Sequence, residues 1–426
     1  MGFIVLRTYR WHVVLGLIIG FFTFDLQASD WRTFGFYKGY SQSFRSTLFN
    51  PDHRIVRVLG YTKGPHTSLA QSIRGRWDFL SLQWQAEVMG RADHVNEWDA
   101  DLEVKQFCFQ KDLFENWILV AGRSIQRWGT GYAFNPTDVA APSKEISDPD
   151  NSERRAAGAD IIQLEYFNET TSFAVCYLTK VDIGSQIKTE GSKLALRFYT
   201  NLWDVDLSII SLFNKEESPL WGLNFACVLG DRLEIHGEAS LQRGSYRAYH
   251  QAIREANTFY SVSPFTSCRA KDHKQYLQAV IGFQVTLPGD IQWIAEYFHQ
   301  DQGYSKAEWS RMMNYLHFLG DYLPTPWEDE AMGNLLWCAG LFSPKGSMRD
   351  YMMHSFQNSA FKAFGLQVTA LWNLQDRSCV FIPEIQYRAG NHFTFYGRSF
   401  IFHGHAGAEF GELFQSHLIE GGLRFQ

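Results

Sequence analysis

Long hydrophobic runs are what this 426-residue chain lacks. Beyond its N-terminus it holds no stretch of ~20 nearly uncharged apolar residues, which excludes a polytopic helical membrane protein. Cysteine is scarce as well, and six in the whole chain are too dilute for a disulfide scaffold. Positive charge is not in excess: 39 Lys and Arg face 45 Asp and Glu, for a net charge of -6, so composition points away from nucleic-acid binding. At 45% hydrophobic residues the chain is also far too apolar to be disordered. Aromatic residues are plentiful, with 35 Phe, 14 Trp and 19 Tyr.

The N-terminus reads as an export signal. Arg7 and Arg10 precede an apolar run over residues 11–24 that breaks at Asp25, and small residues follow at Ala28 and Ser29. Fourteen apolar residues fall short of the ~20 a spanning helix needs, so cleavage near Ala28 is expected. This divides the chain into a signal peptide, 1–28, and a mature domain, 29–426.

The mature sequence alternates with a period of two. Trp203, Val205, Leu207, Ile209 and Phe213 fall on one face of a segment whose other face carries Asp204, Asp206 and Ser208. Residues 79–88 and 233–242 repeat the pattern, the second setting Leu233, Ile235, Ala239 and Leu241 against Glu234, His236, Glu238, Ser240 and Gln242. A sandwich strand with one wet face would look similar, so the connections have to decide. Between about residues 110 and 332, short turns such as NETT, NL, GDR and PGD alternate with long segments near 128–158, 243–274 and 301–332. Turns sorted by length to opposite ends mark a transmembrane antiparallel β-barrel, with short periplasmic turns and long extracellular loops. The chain suits about 18 strands, within a range of roughly 16 to 20. Trp117, Trp128, Trp203, Phe213 and Trp221 stand at strand ends, where interfacial girdles are expected. The last strand, 419–426, should close against 31–40, and residues 306–319 in the third long loop should form an amphipathic helix.

If the apolar faces meet lipid, the lumen receives Glu87, Glu165, Asp204, Asp206, Glu234, Glu238, Glu296 and Glu384, with Arg123, Arg127, Lys193, Arg197, Arg388, Arg398 and Arg424. Arg123, Arg127, Glu165, Arg197, Asp204, Asp206, Glu234, Glu238 and Glu296 are the candidates for lining a pore. The signs are mixed, so two readings stand: cross-strand ion pairs that stiffen the wall, or a ladder that holds solutes. The loop near 243–274 is mainly basic and the one near 301–332 mainly acidic, a charge pattern that would let them pair over the mouth.

Residues 122–138 read GRSIQRWGTGYAFNPTD. Alternation places Arg123 and Arg127 opposite Ile118, Val120 and Trp128, hence arginines to the lumen and tryptophan to the rim. Gly129 and Gly131 permit a sharp departure from the strand, and Asn135, Pro136 and Asp138 are turn chemistry. The segment, with Gly122, Trp128, Gly129, Gly131, Asn135, Pro136 and Asp138 as its fixed points, resembles the G-R-x-x-x-x-W-G-x-G-x-x-x-N-P-x-D segment of bacterial outer-membrane porin-like proteins, related in architecture to alginate-export-type barrels. That resemblance implies a single-chain barrel that passes a solute or partners an inner-membrane exporter. The segment itself is either a structural turn or an element that controls the pore.

Catalysis is not expected. His354-Ser355 has no supporting acid or nucleophile motif, and His403 with His405 supplies two metal ligands without a third. No cofactor and no metal are expected. The reading is an outer-membrane, porin-like channel for small solutes. The alternatives are an outer-membrane component of a lipid or polysaccharide export system, or a non-transport barrel acting as adhesin or structure. Expected partners are outer-membrane lipid, small solutes, the outer-membrane assembly machinery and, for the export reading, an inner-membrane transporter.

Overall fold

The computed structural model describes residues 28–425 apart from 45–63, 80–81, 95–97, 142–157, 180–190, 216–217, 245–247, 250–259, 261–267, 270–273, 324, 340–345, 359–362 and 413–414. The expected signal peptide lies almost wholly outside the described residues. Eighteen strands form one antiparallel sheet. The first five are β1 (Ala28–Phe44), β2 (Gly64–Phe79), β3 (Leu82–His94), β4 (Trp98–Phe114) and β5 (Trp117–Ser124). They are followed by β6 (Ala159–Phe167), β7 (Thr171–Leu178), β8 (Lys193–Leu202), β9 (Val205–Asn214), β10 (Leu220–Leu229) and β11 (Leu233–Arg243). A two-residue ribbon, β12 (Ala248–Tyr249) with β13 (Cys268–Arg269), stands apart in the next loop. The wall resumes with β14 (Gln275–Leu287), β15 (Ile291–Gln300), β16 (Asp350–Asn358), β17 (Phe364–Asn373), β18 (Cys379–Ala389), β19 (Phe393–His403) and β20 (Gln415–Phe425). The last strand pairs back onto the first, Gly35 opposite Phe425 through Phe44 opposite Gln415, so no edge is left open.

The walls show the alternation that the sequence led us to expect. Ile209 is 54% exposed on the outside while Ile210 beside it is fully buried, and Leu223, Ile281, Phe381, Ile385 and Ile419 share the outer face. In water that band would be a very large apolar patch; against lipid it is the required surface. Aromatic pairs girdle the short-turn end, among them Trp77 stacked with Trp84 at 6.5 Å, Trp117 with Tyr166 at 5.2 Å and Phe283 with Trp293 at 4.9 Å. The turn between β8 and β9 is Trp203-Asp204 and not Asn201-Leu202. Both turn residues take positive φ, 53° and 61°, while Asn201 stays in the ladder opposite Asp206 and donates its amide to it at 2.9 Å. Trp203 therefore sits at a turn tip, 87% exposed, and Asp204 beside it is off the strand face.

The interior departs from the simple polar-in rule. The third long loop runs on to Arg349, past the expected end at 332, and carries two helices, α1 (Lys306–Tyr322) and α2 (Glu328–Ala339). Ser305 and Glu308 cap α1 reciprocally: the Ser305 hydroxyl accepts from the Glu308 amide at 3.3 Å, and the Ser305 amide donates to the Glu308 carboxylate at 2.8 Å. Trp309, Met312, Met313, Leu316 and Leu319 follow at helical spacing and pack in one cluster with inward-facing Phe298, Met353, Leu371, Val380, Ile382 and Phe400. Where α1 covers it, the inner face of β15–β19 is thus apolar. From the β11–β14 loop, Tyr260 touches α1 through Tyr315 and Phe318, at 5.4 and 5.6 Å. Most of that basic loop lies outside the described residues, and with it the expected charge pairing over the mouth. Burial among apolar neighbours pushes the Cys338 thiol of α2 up to about 12.

A short helix between β19 and β20, α3 (Glu409–Glu412), ties three loops together. The fully buried Glu409 carboxylate accepts from the Ser347 amide at 2.5 Å, the Tyr351 hydroxyl at 2.6 Å and the Asn373 amide at 2.8 Å. The Glu409 amide in turn donates to Asp376 at 2.6 Å. Burial raises the Glu409 carboxyl above the ordinary glutamate value, and the Asp376 charge adds to that; the three donors pull the other way.

Candidate pore constriction

Past β5 the chain does not stay at the rim. Gly122 takes φ +117°, with the Phe107 carbonyl where a Cβ would stand, and the residues after Ser124 turn into the lumen. Asp138 closes the base of this loop. One of its oxygens accepts from the amides of Trp128 at 2.5 Å and Gly129 at 2.9 Å, and the other takes Arg127 Nη1 at 3.2 Å. Asn135, ahead of Pro136, reaches back to the Gly131 carbonyl at 2.6 Å. Trp128 is 4% exposed, packed among inward-facing Ile161, Cys176, Ala195, Ile210 and Leu212. This corrects the expectation that it stands in the outer girdle: the loop carries it inward, where a large aromatic fills the space against apolar wall residues.

Two buried carboxylates hold the loop at mid-height. Glu238, the middle residue of β11, accepts from the amide of Gly131 at 2.6 Å, the amide and hydroxyl of Thr137 at 3.0 and 2.7 Å, and Asn135 Nδ2 at 3.1 Å. Glu296, on β15, accepts from three successive amides, those of Tyr132, Ala133 (2.9 Å) and Phe134 (3.3 Å). A run of backbone N–H groups converging on one carboxylate is a built anion nest, and its anion comes from the opposite wall. His236 Nε2 also lies 2.8 Å from Glu296. Between them in the register stands Gly282, where a Cβ would come within 2.6 Å of His236 Nε2 and 2.7 Å of Glu296 Cγ. The glycine on β14 is what lets β11 and β15 touch across it. Asn224 on β10 donates to the Trp128 carbonyl at 2.8 Å, and Phe134 stacks on Phe298 at 4.4 Å.

The remaining pore-lining candidates fall in several places. Arg127 is in the inward loop. Arg197 and Glu165 share an inward register row with Ala174 and Ile210. Asp206 accepts from the Tyr199 hydroxyl at 2.5 Å, and Glu234 lies 3.6 Å from His236 Nδ1. Arg123 is a second correction. It stands at the register positions of Phe107 and Asp160, opposite in parity to Val120, and its Nε and Nη2 each hold Asp160 at 2.9 Å. Val120, expected on the lipid side, packs against the Trp128 cluster inside. The run WILVA is apolar on both faces, so its alternation carried no information and the arginine misled the assignment. On β18–β20, beside the seam, Arg398 meets Glu420 at 2.9 Å and Glu384 at 3.8 Å, and Arg424 reaches Glu384 at 3.6 Å: an ion-paired stretch of wall.

Beside the loop a cavity of about 390 Å³ opens along β2–β5. Among the described residues its lining holds Arg74, Arg76 and Arg127. Gln83, Gln85, Gln106, Gln110 and Gln126 line it too, Gln85 donating to Gln106 at 2.6 Å. Arg74 also binds the wholly buried Glu87, through Nε at 2.7 Å. Arg74, Arg76 and the five glutamines were not among the sequence candidates for the pore lining. Gln83 and Gln85 were visible as the polar face of 79–88, but only the register joins Gln83 to Gln110 and only a diagonal side-chain hydrogen bond joins Gln85 to Gln106 on β4. His236 and Gly282 were likewise invisible as a pair.

No family model matches the chain, and no curated protein is significantly similar to it. Among solved structures, Acinetobacter baumannii OccAB1 superposes with a TM-score of 0.55 at 10% identity, covering 94% of this chain and 97% of that one. Pseudomonas aeruginosa OccK11 (OpdR) gives 0.53 at 10% identity over 93% and 94%, and OccK5 (OpdH) of the same organism 0.52 at 9% over 94% and 97%. At such identities the likeness is one of fold, and the fold shared is the outer-membrane porin barrel.

Proposed function

We propose that this chain is an outer-membrane, porin-like channel through which small polar solutes pass passively. The observation that carries the reading is the cavity of about 390 Å³ beside the inward loop, with arginine and glutamine walls, inside a closed barrel whose outer face is apolar. In this reading residues 1–28 are the export signal, the assembly machinery inserts the barrel, and outer-membrane lipid surrounds it. The GRSIQRWGTGYAFNPTD segment is the constriction, the role its likeness to the porin-like and alginate-export-type barrels leaves open. The lumen does the work of a wall and a filter, and no catalytic role is assigned to it.

The test is single-channel conductance of the refolded, signal-free protein in planar bilayers. Wild-type protein should conduct steadily. Arg76→Ala/Arg127→Ala should shift selectivity towards cations, while Arg123→Ala, on the other face of β5, should leave it unchanged. A folded protein with no conductance would sink the channel reading. One observation favours a second: the inward loop, α1 and α2 occupy much of the lumen, as a barrel that opens only with an inner-membrane exporter would require. That export partner would show little flux alone.

A further inference from the structure

We infer that the β2–β5 cavity is a binding site for a neutral, polyhydroxylated solute of the monosaccharide or sugar-alcohol class. The inference rests on the channel reading and adds the chemistry of what passes. The charges around the cavity are compensated by the protein itself. Arg74 is bound to Glu87 through Nε at 2.7 Å and Nη2 at 2.5 Å, and Arg127 to Asp138 at 3.2 Å. Arg76 stands opposite Asp30 in the β1–β2 register. Glu87 is fully buried and the Asp138 side chain only 2% exposed, so neither acid is presented to a solute either. A guanidinium already held by a carboxylate lends little of its charge to a passing ion, and a charged solute would give up hydration that this wall does not replace.

What stays open is amide. Gln83 stands directly opposite Gln110 on β3 and β4, and both line the cavity. Among the described residues neither of these side chains has a hydrogen-bond partner. Gln85, whose register partner is Cys108, donates diagonally to Gln106 at 2.6 Å. That bond leaves the Gln85 carbonyl oxygen and the Gln106 nitrogen for a ligand. An amide offers two donors and an acceptor without net charge, and opposed side chains on neighbouring strands stand about 5 Å apart. Adjacent hydroxyl groups, each of which donates and accepts, are what such a surface matches; an ether oxygen meets only the donors. Among the described residues the lining has no aromatic ring, so a flat heteroaromatic solute finds nothing to stack on. The volume, about 390 Å³, falls at the lower end of the roughly 300–1,000 Å³ of small-molecule sites, which suits a single sugar unit.

Ion current through the reconstituted barrel is titrated with glucose, sorbitol, glucuronate, glucosamine and tetraethylene glycol, the last close to glucose in mass but with ether oxygens in place of most hydroxyls. Glucose or sorbitol should half-block the current at a concentration about tenfold below tetraethylene glycol, the equivalent of one or two net hydrogen bonds. Neither charged sugar should block better than glucose. Gln83→Leu/Gln110→Leu should erase the preference for glucose over tetraethylene glycol while the barrel keeps its heat-modifiable gel mobility. The same exchange at Gln357 and Gln367, an opposed amide pair on β16 and β17, should leave the preference intact. Equal block by glucose and tetraethylene glycol would overturn the amide assignment, and tighter block by glucuronate or glucosamine would overturn the neutral one. Loss of the preference in the β16–β17 variant would overturn the location; the channel reading survives all three. If the Gln83/Gln110 variant does not fold, the wild-type solute series decides alone. A folded wild-type barrel that passes no current removes the channel reading and this inference with it.

Discussion

Glu296 illustrates how a membrane barrel uses a charge it could not otherwise tolerate. Its side chain is fully buried, yet four donors surround it: three loop amides and the His236 ring. Removing the acceptor strands those groups in a dry interior, at a cost of at least about 3 kcal/mol. Glu296→Ala should therefore free the inward loop, giving larger and noisier single-channel currents than wild type. Gly282→Val tests the same contact without replacing either partner, because a side chain at 282 meets both His236 and Glu296. The two variants should match in current noise. A quiet, wild-type trace from both would mean the loop is held by Glu238 alone. Sequence alternation did put Glu238 and Glu296 in the lumen; what it could not supply was their partner, since the loop amides carry no side-chain signature.

Among elements, helices and latches were harder to read than strands. α1 was visible because Trp309, Met312, Met313 and Leu316 recur at helical spacing behind a Ser305–Glu308 box. α2 was not, since residues 328–339 carry acids only in the first turn and apolar residues on several sides, with a glycine inside. α3 is a single turn whose purpose is Glu409. A raised carboxyl means that the folded latch binds its proton more tightly than the open one does. Its stability is therefore greatest in acid and falls as pH rises from the ordinary glutamate value of 4.5 towards the raised one. Amide exchange at 346–349 and 404–411, corrected for the intrinsic rate, should lose protection over that interval. Glu409→Gln should flatten the dependence and keep high protection at neutral pH. A wild-type profile in the variant would mean that Glu409 does not govern the dependence.

On the scale of the whole molecule, topology was legible and the contents of the lumen were not. Turn lengths sorted the two ends, the eighteen strands fall within the expected 16 to 20, and the seam lies where residues 419–426 and 31–40 were expected to meet. The rule that lumen faces are polar failed on the parts of β16–β19 under the helices, where Met353, Leu371, Val380, Ile382 and Phe400 face inward. This yields a direct test of what α1 and α2 do. The ends of their loop are already joined, because the Tyr304 amide donates to the Ser347 carbonyl at 2.9 Å, so residues 306–345 can be replaced by a short Gly-Ser linker without stretching the wall. The ladders of the barrel do not run through the excised segment, and the variant should keep heat-modifiable mobility. Its conductance should rise severalfold, and its newly wetted apolar inner face should bind a hydrophobic dye that wild type ignores. Dye binding without a rise in conductance would show that ions never pass the helices and travel only along the β2–β5 wall, beside Arg76 and the glutamines.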